Sequence, residues 1–142
     1  MRAQITLTPT ESKKLIAKAL ARMEPVARAA REGMVVLHPS SSTYFVAEDL
    51  TGKPPQTKVW VLGLIAPKGA CIELENDRAL AALPSLTPHD FAGSWVVKGG
   101  TLTTGQTLNQ LFAQMGPKDV YIKGVNALDP QGNVAVLIVK KI

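Results

Sequence analysis

The sequence predicts a three-layer α/β domain with a mainly parallel, Rossmann-like sheet and helices on both faces, spanning residues 1–142 as one unit. Three observations predict it. The apolar runs at 34–37 and 58–65 are short, continuous and rich in valine, as strands covered on both faces are. A helical segment at about 43–50 stands between them, so the order is β-α-β, the pattern of parallel strands joined by a crossover helix. A chain of 142 residues that is 46% apolar also has enough material for one sizeable core.

The first helix begins at Thr8-Pro9-Thr10-Glu11. Thr8 can cap, Pro9 suits the first helical position and Glu11 completes a capping box. Leu15, Ile16, Ala19, Leu20 and Met23 then form an apolar stripe at helical spacing, and Lys13, Lys14 and Lys18 are expected to face away from it. Pro25 kinks or restarts the helix, and the second piece, 25–32, ends at Gly33, a residue type suited to a left-handed terminus. The run 34–37 is the first strand, HPSSST (38–43) the loop after it, and 51–55 the turn before the second strand.

Between 66 and 93, Pro67, Gly69, Pro84 and Pro88 break any long element; a short strand near 71–73 and a helical turn near 78–83 are expected. Residues 94–98 read as a further strand and Gly99-Gly100 as a turn. Leu108, Leu111, Phe112 and Met115, at i, i+3, i+4 and i+7, predict a helix that ends at Gly116-Pro117. Residues 119–123 are another strand, and Asp129-Pro130-Gln131-Gly132-Asn133 is a turn between the β-like runs 120–122 and 134–139.

Sixteen Lys and Arg against eleven Asp and Glu give a net charge of +5, which favours phosphorylated ligands, nucleic acid or an acidic partner. The cations are dispersed, and two Trp, two Tyr and three Phe are not interleaved with them, which argues against nucleic acid. A single cysteine, Cys71, leaves no internal disulfide and no Cys/His set for zinc, and fits a reducing, cytoplasmic setting. No run has the length of a signal peptide or of a membrane span. No metal or cofactor is called for: Lys98-Gly99-Gly100 offers an ammonium and a permissive backbone to an anion, but lacks the spacing of a nucleotide P-loop.

The chemistry concentrates in two loops. In a parallel sheet the loop after a strand lies at the carboxyl edge, where open α/β folds bind ligands and a following helix presents unpaired N–H groups. Ser40, Ser41, Ser42 and Thr43 would add hydroxyls to that cradle. The plainer alternative is that one of them caps the helix and the rest are solvated. His38, at a strand end, could contact a ligand, but with only His89 elsewhere it reads first as structural, and Cys71 as a small buried hydrophobe.

The stretch GMVVLHPSSSTYF (33–45) resembles the first strand and phosphate loop of the ribose-5-phosphate isomerase and CoA-transferase-like superfamily, where a helix precedes a strand ending in a Gly-Ser-Thr type loop. DVYIKGVNALDPQGN (119–133) resembles a second superfamily feature, a strand ending in a Gly-x-Asp or Gly-x-Asn loop beside the ligand, soon followed by a glycine turn. Lactate-utilisation proteins and initiation-factor exchange subunits have similar loops. Both loops follow strands, so in a parallel sheet they would converge on one ligand, held by Ser40, Ser41, Ser42 and Thr43 with Lys123, Gly124 and Asn126, and the Lys98 or Lys123 ammonium would complement an anion there. The resemblance puts a ligand beside the same loops. It covers well under half the chain, and this sequence departs from it. Asn126 and Ala127 stand where the sugar-phosphate isomerases carry acid-base carboxylates, and Asn cannot abstract a proton at neutral pH. The first loop has Pro39 and three serines in place of glycines. Glu73 and Glu75 lie in the least legible stretch, so a transferase nucleophile is not placed.

These readings converge on binding of a small anionic metabolite, phosphorylated or carboxylated, with a divergent isomerase- or transferase-like activity left open. A non-catalytic interaction or oligomerisation module is the alternative. Relatives continue beyond the position of Ile142, so the chain is either a short relative or part of a longer protein. A sheet cut short exposes an edge and apolar surface, so a homo-oligomer, a dimer first, is expected through the run 134–139.

Overall fold

The computed structural model describes residues 4–56 and 93–136. The strand expected at 58–65, the elements expected within 66–92, and Cys71, Glu73, Glu75 and His89 lie outside the described residues, as does the chain after Val136.

Helix α1 (Pro9–Arg22) starts at the expected capping box: the Glu11 N–H donates to Thr8 Oγ1 at 3.3 Å and the Thr8 N–H to Glu11 Oε2 at 2.8 Å. Helix α2 (Glu24–Glu32) carries Pro25 in its first turn, where the missing N–H costs nothing. Strand β1 (Val35–Leu37) is buried throughout, and helix α3 (Thr43–Thr51) follows the HPSSST loop. Strand β2 (Ser94–Lys98) turns through Gly99 (φ 55°) and Gly100 (φ 73°) into β3 (Thr101–Gln106). Two successive positive φ angles make the tight hairpin turn that two glycines allow. Helix α4 (Leu108–Phe112), capped by Thr107 and Gln110, is shorter than its apolar spacing predicts. Strand β4 (Val120–Ile122) comes next. The Asp129 turn joins β5 (Ala127–Leu128) to β6 (Val134–Ala135), not β4 to the terminal run.

The sheet corrects the predicted fold class. Its order among the described residues is β3-β2-β1-β4, and only β1 and β4 are parallel; β1–β2 and β2–β3 are antiparallel. Among the described residues the fold is mixed α/β with a mixed sheet and few strands, not a three-layer, mainly parallel Rossmann-like sheet. The reason lies in what a continuous apolar run reports. It signals burial of a strand on both faces, and the middle strands of this sheet have that burial whichever way their neighbours run.

The pleat divides the core. Val35, Leu37, Trp95 and Val97 meet Ala17, Val26, Ala29, Val46 and Ala47 of α1, α2 and α3 on one face. Val36 and Val96 meet Leu111 of α4 on the other, beside Leu108, Met115 and Tyr121. Each fully buried Val or Leu contributes on the order of 1.5–3 kcal/mol. The α1 stripe does not face this core as its periodicity suggested: Ala17 is the buried residue, Leu20 is partly covered, and Leu15, Ile16 and Met23 are exposed. Helix α1 packs on α2 and α3. Periodicity finds an apolar face but not the direction in which it points.

Gly33 ends α2 for a different reason from the one expected. Its φ is −140°, not left-handed. A Cβ there would overlap Asp119 Oδ1 and come within 2.9 Å of the Lys118 carbonyl oxygen. The glycine allows the start of β1 to lie against the turn that begins β4.

Candidate functional site

The site grows from the parallel pair. Val35 aligns with Val120 and Leu37 with Ile122, and the His38 N–H extends the ladder by donating to the Ile122 carbonyl at 2.9 Å. Both strands therefore end at one edge, and the loops 38–43 and 123–126 leave it together. Gly124 lies beside the first loop: a Cβ added to it would stand 3.9 Å from Ser40 Oγ. His38 is half-buried at the junction. Burial, and then the nearby Lys123 charge, hold its pKa below the ordinary 6.5.

Two of the four hydroxyls are occupied by the fold. The Thr43 N–H donates to Ser40 Oγ at 3.2 Å and the Tyr44 N–H to the Ser40 carbonyl at 2.9 Å, so the capping oxygen is on Ser40. Buried Thr43 donates its hydroxyl to the His38 carbonyl at 2.5 Å and shares a 2.9 Å hydrogen bond with Ser40 Oγ. The plain reading of HPSSST as a helix start thus holds for Ser40 and Thr43. Ser41 and Ser42 are partly buried, and neither their side chains nor their N–H groups have a hydrogen-bond partner among the described residues. The first turn of α3 has no acidic residue to complement its N–H groups.

The second loop brings Lys123 and Gly124 to this edge. Asn126 follows at the base of the β5–β6 hairpin, where its N–H donates to the Ala135 carbonyl at 2.9 Å. Lys98 is not part of the site. Strand β2 runs against β1, so the carboxyl end of β2 lies beside the amino end of β1. Lys98 accordingly lines a surface pocket with Glu32, Met34, Gln114 and Lys118. Its placement in the site assumed a parallel strand. His38, whose place at a strand end left a ligand contact open beside a structural reading, lies where the two loops leave the sheet.

The two loops hold N–H groups, hydroxyls, one ammonium and one imidazole, with no carboxylate in either. Such a set can bind an anion. Among the described residues no group of three or more His, Cys, Asp or Glu could hold a metal ion. No protein-family model, curated protein or solved structure matches this chain. Among the described residues no helix is long and apolar enough to cross a membrane.

Proposed function

We propose that the chain binds a small anionic metabolite, phosphorylated or carboxylated, between loops 38–43 and 123–126. The observation that carries the reading is the parallel β1–β4 pair, which sends both loops out at one edge with Gly124 against Ser40. The N–H groups and hydroxyls of Ser41 and Ser42, the α3 terminus and Lys123 supply donors and charge of the right sign. The resemblance of 33–45 and 119–133 to the isomerase and transferase superfamily loops supports the same location. The reading is of binding rather than turnover, because no acid-base carboxylate stands in either loop. The lone cysteine fits a cytoplasmic setting.

Inorganic phosphate is the first probe, titrated by calorimetry, and native mass spectrometry of the purified protein searches for a retained metabolite. Lys123→Gln and Gly124→Val are expected to weaken binding about tenfold or more, the first by removing charge and the second by filling the approach to Ser40. Because an anion beside His38 favours its protonated form, affinity for an anion whose own charge does not change there should rise as pH falls toward the lowered pKa of His38. Failure of phosphate and of small carboxylates to bind, with no retained metabolite, would leave the alternative of a non-catalytic interaction module. The exposed hairpin residues Leu128 and Val134 favour that second reading.

A further inference from the structure

Loops 38–43 and 123–126 meet because β4 stands in one register on β1, and the ladder between them is short. Val120 pairs with Val35, Tyr121 with Val36 and Ile122 with Leu37. The β4 residues are partly buried, whereas those of β1 are fully buried. A half-covered strand loses less apolar burial when it slips than a covered one does, so its side chains specify register weakly. A slip by two residues would keep each side chain on its own face and carry Lys123 and Gly124 about 7 Å along the edge. Asp119 supplies what the ladder lacks. Its Oδ1 accepts the Met34 N–H and its Oδ2 the Gly116 N–H, both at 2.7 Å, so the carboxylate is bracketed between the residue before β1 and the turn before β4. Gly33, lacking a Cβ, leaves room for the carboxylate and for the Lys118 carbonyl. The Lys118–Glu32 ion pair at 3.1 Å joins the same two segments, but both side chains are exposed and such a pair holds little.

We propose that Asp119 is a positioning residue of the loop site: by fixing the register of β4 on β1 it places Lys123 and Gly124 against the first loop without itself touching a ligand. It acts along the strand, since Lys123 lies about 13 Å further on at the other end of β4. The effect on binding rests on the anion reading of the site. The placement of Lys123 beside His38 does not, and it is measurable in the free protein.

The His38 imidazole reports that placement, read by NMR titration of the full chain. Asp119→Ala is expected to raise its midpoint toward 6.5, because a displaced β4 takes the Lys123 charge away and opens the junction to water. The sign separates the two causes: deleting a carboxylate without moving β4 removes negative charge and can only lower the midpoint. Asp119→Asn, which keeps Oδ1 for the Met34 N–H, should return part of the shift. Ala17→Gly weakens α1, which packs on α2 and α3, and should lower stability without moving the midpoint. With inorganic phosphate as the probe, Asp119→Ala should weaken binding about tenfold through the loss of Lys123 from the site, and Ala17→Gly should leave the affinity unchanged. If Asp119→Ala does not fold, Gly33→Ala, which drives the carboxylate out from the other side, carries the same titration with the same expected rise. A midpoint that stays or falls on loss of the carboxylate overturns the proposal, as does an equal rise with Ala17→Gly. A parent protein that binds no phosphate overturns the anion reading instead, and the His38 titration then decides the positioning alone.

Discussion

The Met34 N–H donates to Asp119 Oδ1 at 2.7 Å, joining residues 85 positions apart, while Oδ2 of the same carboxylate accepts the Gly116 N–H at 2.7 Å. One side chain thus ties the start of β1 to the turn before β4. With the Val120 N–H on the Met34 carbonyl at 3.1 Å, it sets the register that brings both loops out together. Asp119→Ala should cost about 2 kcal/mol in urea denaturation, and Asp119→Asn, which retains one acceptor, should recover only part. Gly33→Ala should cost a similar amount through overlap with the same carboxylate. The double variant should lose less than the sum, because removing the carboxylate removes part of the clash while the Lys118 carbonyl remains. Strict additivity would contradict this account.

Thr43 is buried, and its hydroxyl is spent on the His38 carbonyl and Ser40. Thr43→Val keeps the shape and removes the donor, with an expected loss of about 1–3 kcal/mol; Thr43→Ser keeps the donor and should lose less. Ser40→Ala should cost about 1 kcal/mol through the α3 cap. Ser41→Ala and Ser42→Ala should leave stability within about 0.5 kcal/mol of the parent. Chemical denaturation of the four variants separates the serines that hold the fold from those available to a ligand.

His38 couples stability to pH. Burial and Lys123 hold its folded pKa below the 6.5 of an unhindered imidazole, so between those two values the unfolded chain binds more protons than the folded one. Stability is therefore full above pH 6.5 and declines as pH falls toward the folded pKa. His38→Gln should flatten that slope. Denaturation midpoints taken across the window at fixed ionic strength measure it, and an unchanged slope in the variant would assign the dependence to another group.

The β5–β6 hairpin should melt locally in acid. Asp129 accepts the Asn133 side-chain amide at 2.7 Å and the Asn133 N–H at 2.8 Å, and the Gln131 N–H at 3.0 Å. The Asn133 bonds foremost hold its pKa below the ordinary 3.8. The turn's contribution is present above pH 3.8 and lost as pH falls through the folded value. Asp129→Ala should produce the same local change at neutral pH, read as faster amide exchange at Asn126 and Asp129, whose N–H groups bond across the hairpin. Amides of β1 and β2 should stay protected.

Much of the local structure was legible because its causes are local. Thr8 with Glu11, Pro25 in the first turn of α2, and Gly99-Gly100 each act within four residues, and the structure bears each of them out. The apolar run at 34–37 announced a strand buried on both faces, found at Val35–Leu37, for the same reason: the burial demand is written in the side chains. The loops 38–43 and 123–126 were legible as neighbours of strand ends, and HPSSST as a helix start.

Strand direction was decided only in three dimensions. Nothing in SWVVK differs between a parallel and an antiparallel neighbour, since both bury the same faces and satisfy the same backbone groups. Its reversal beside β1 overturned the mainly parallel sheet and carried Lys98 to the opposite edge from Lys123. The outward aim of Leu15 and Ile16 was likewise settled by which side of α1 met α3, and the role of Gly33 by an aspartate 86 positions later in the chain. Sequence determines what a segment must bury and how it caps. Which partner answers that demand, and from which direction, depends on packing among segments whose pairing the chain order leaves free.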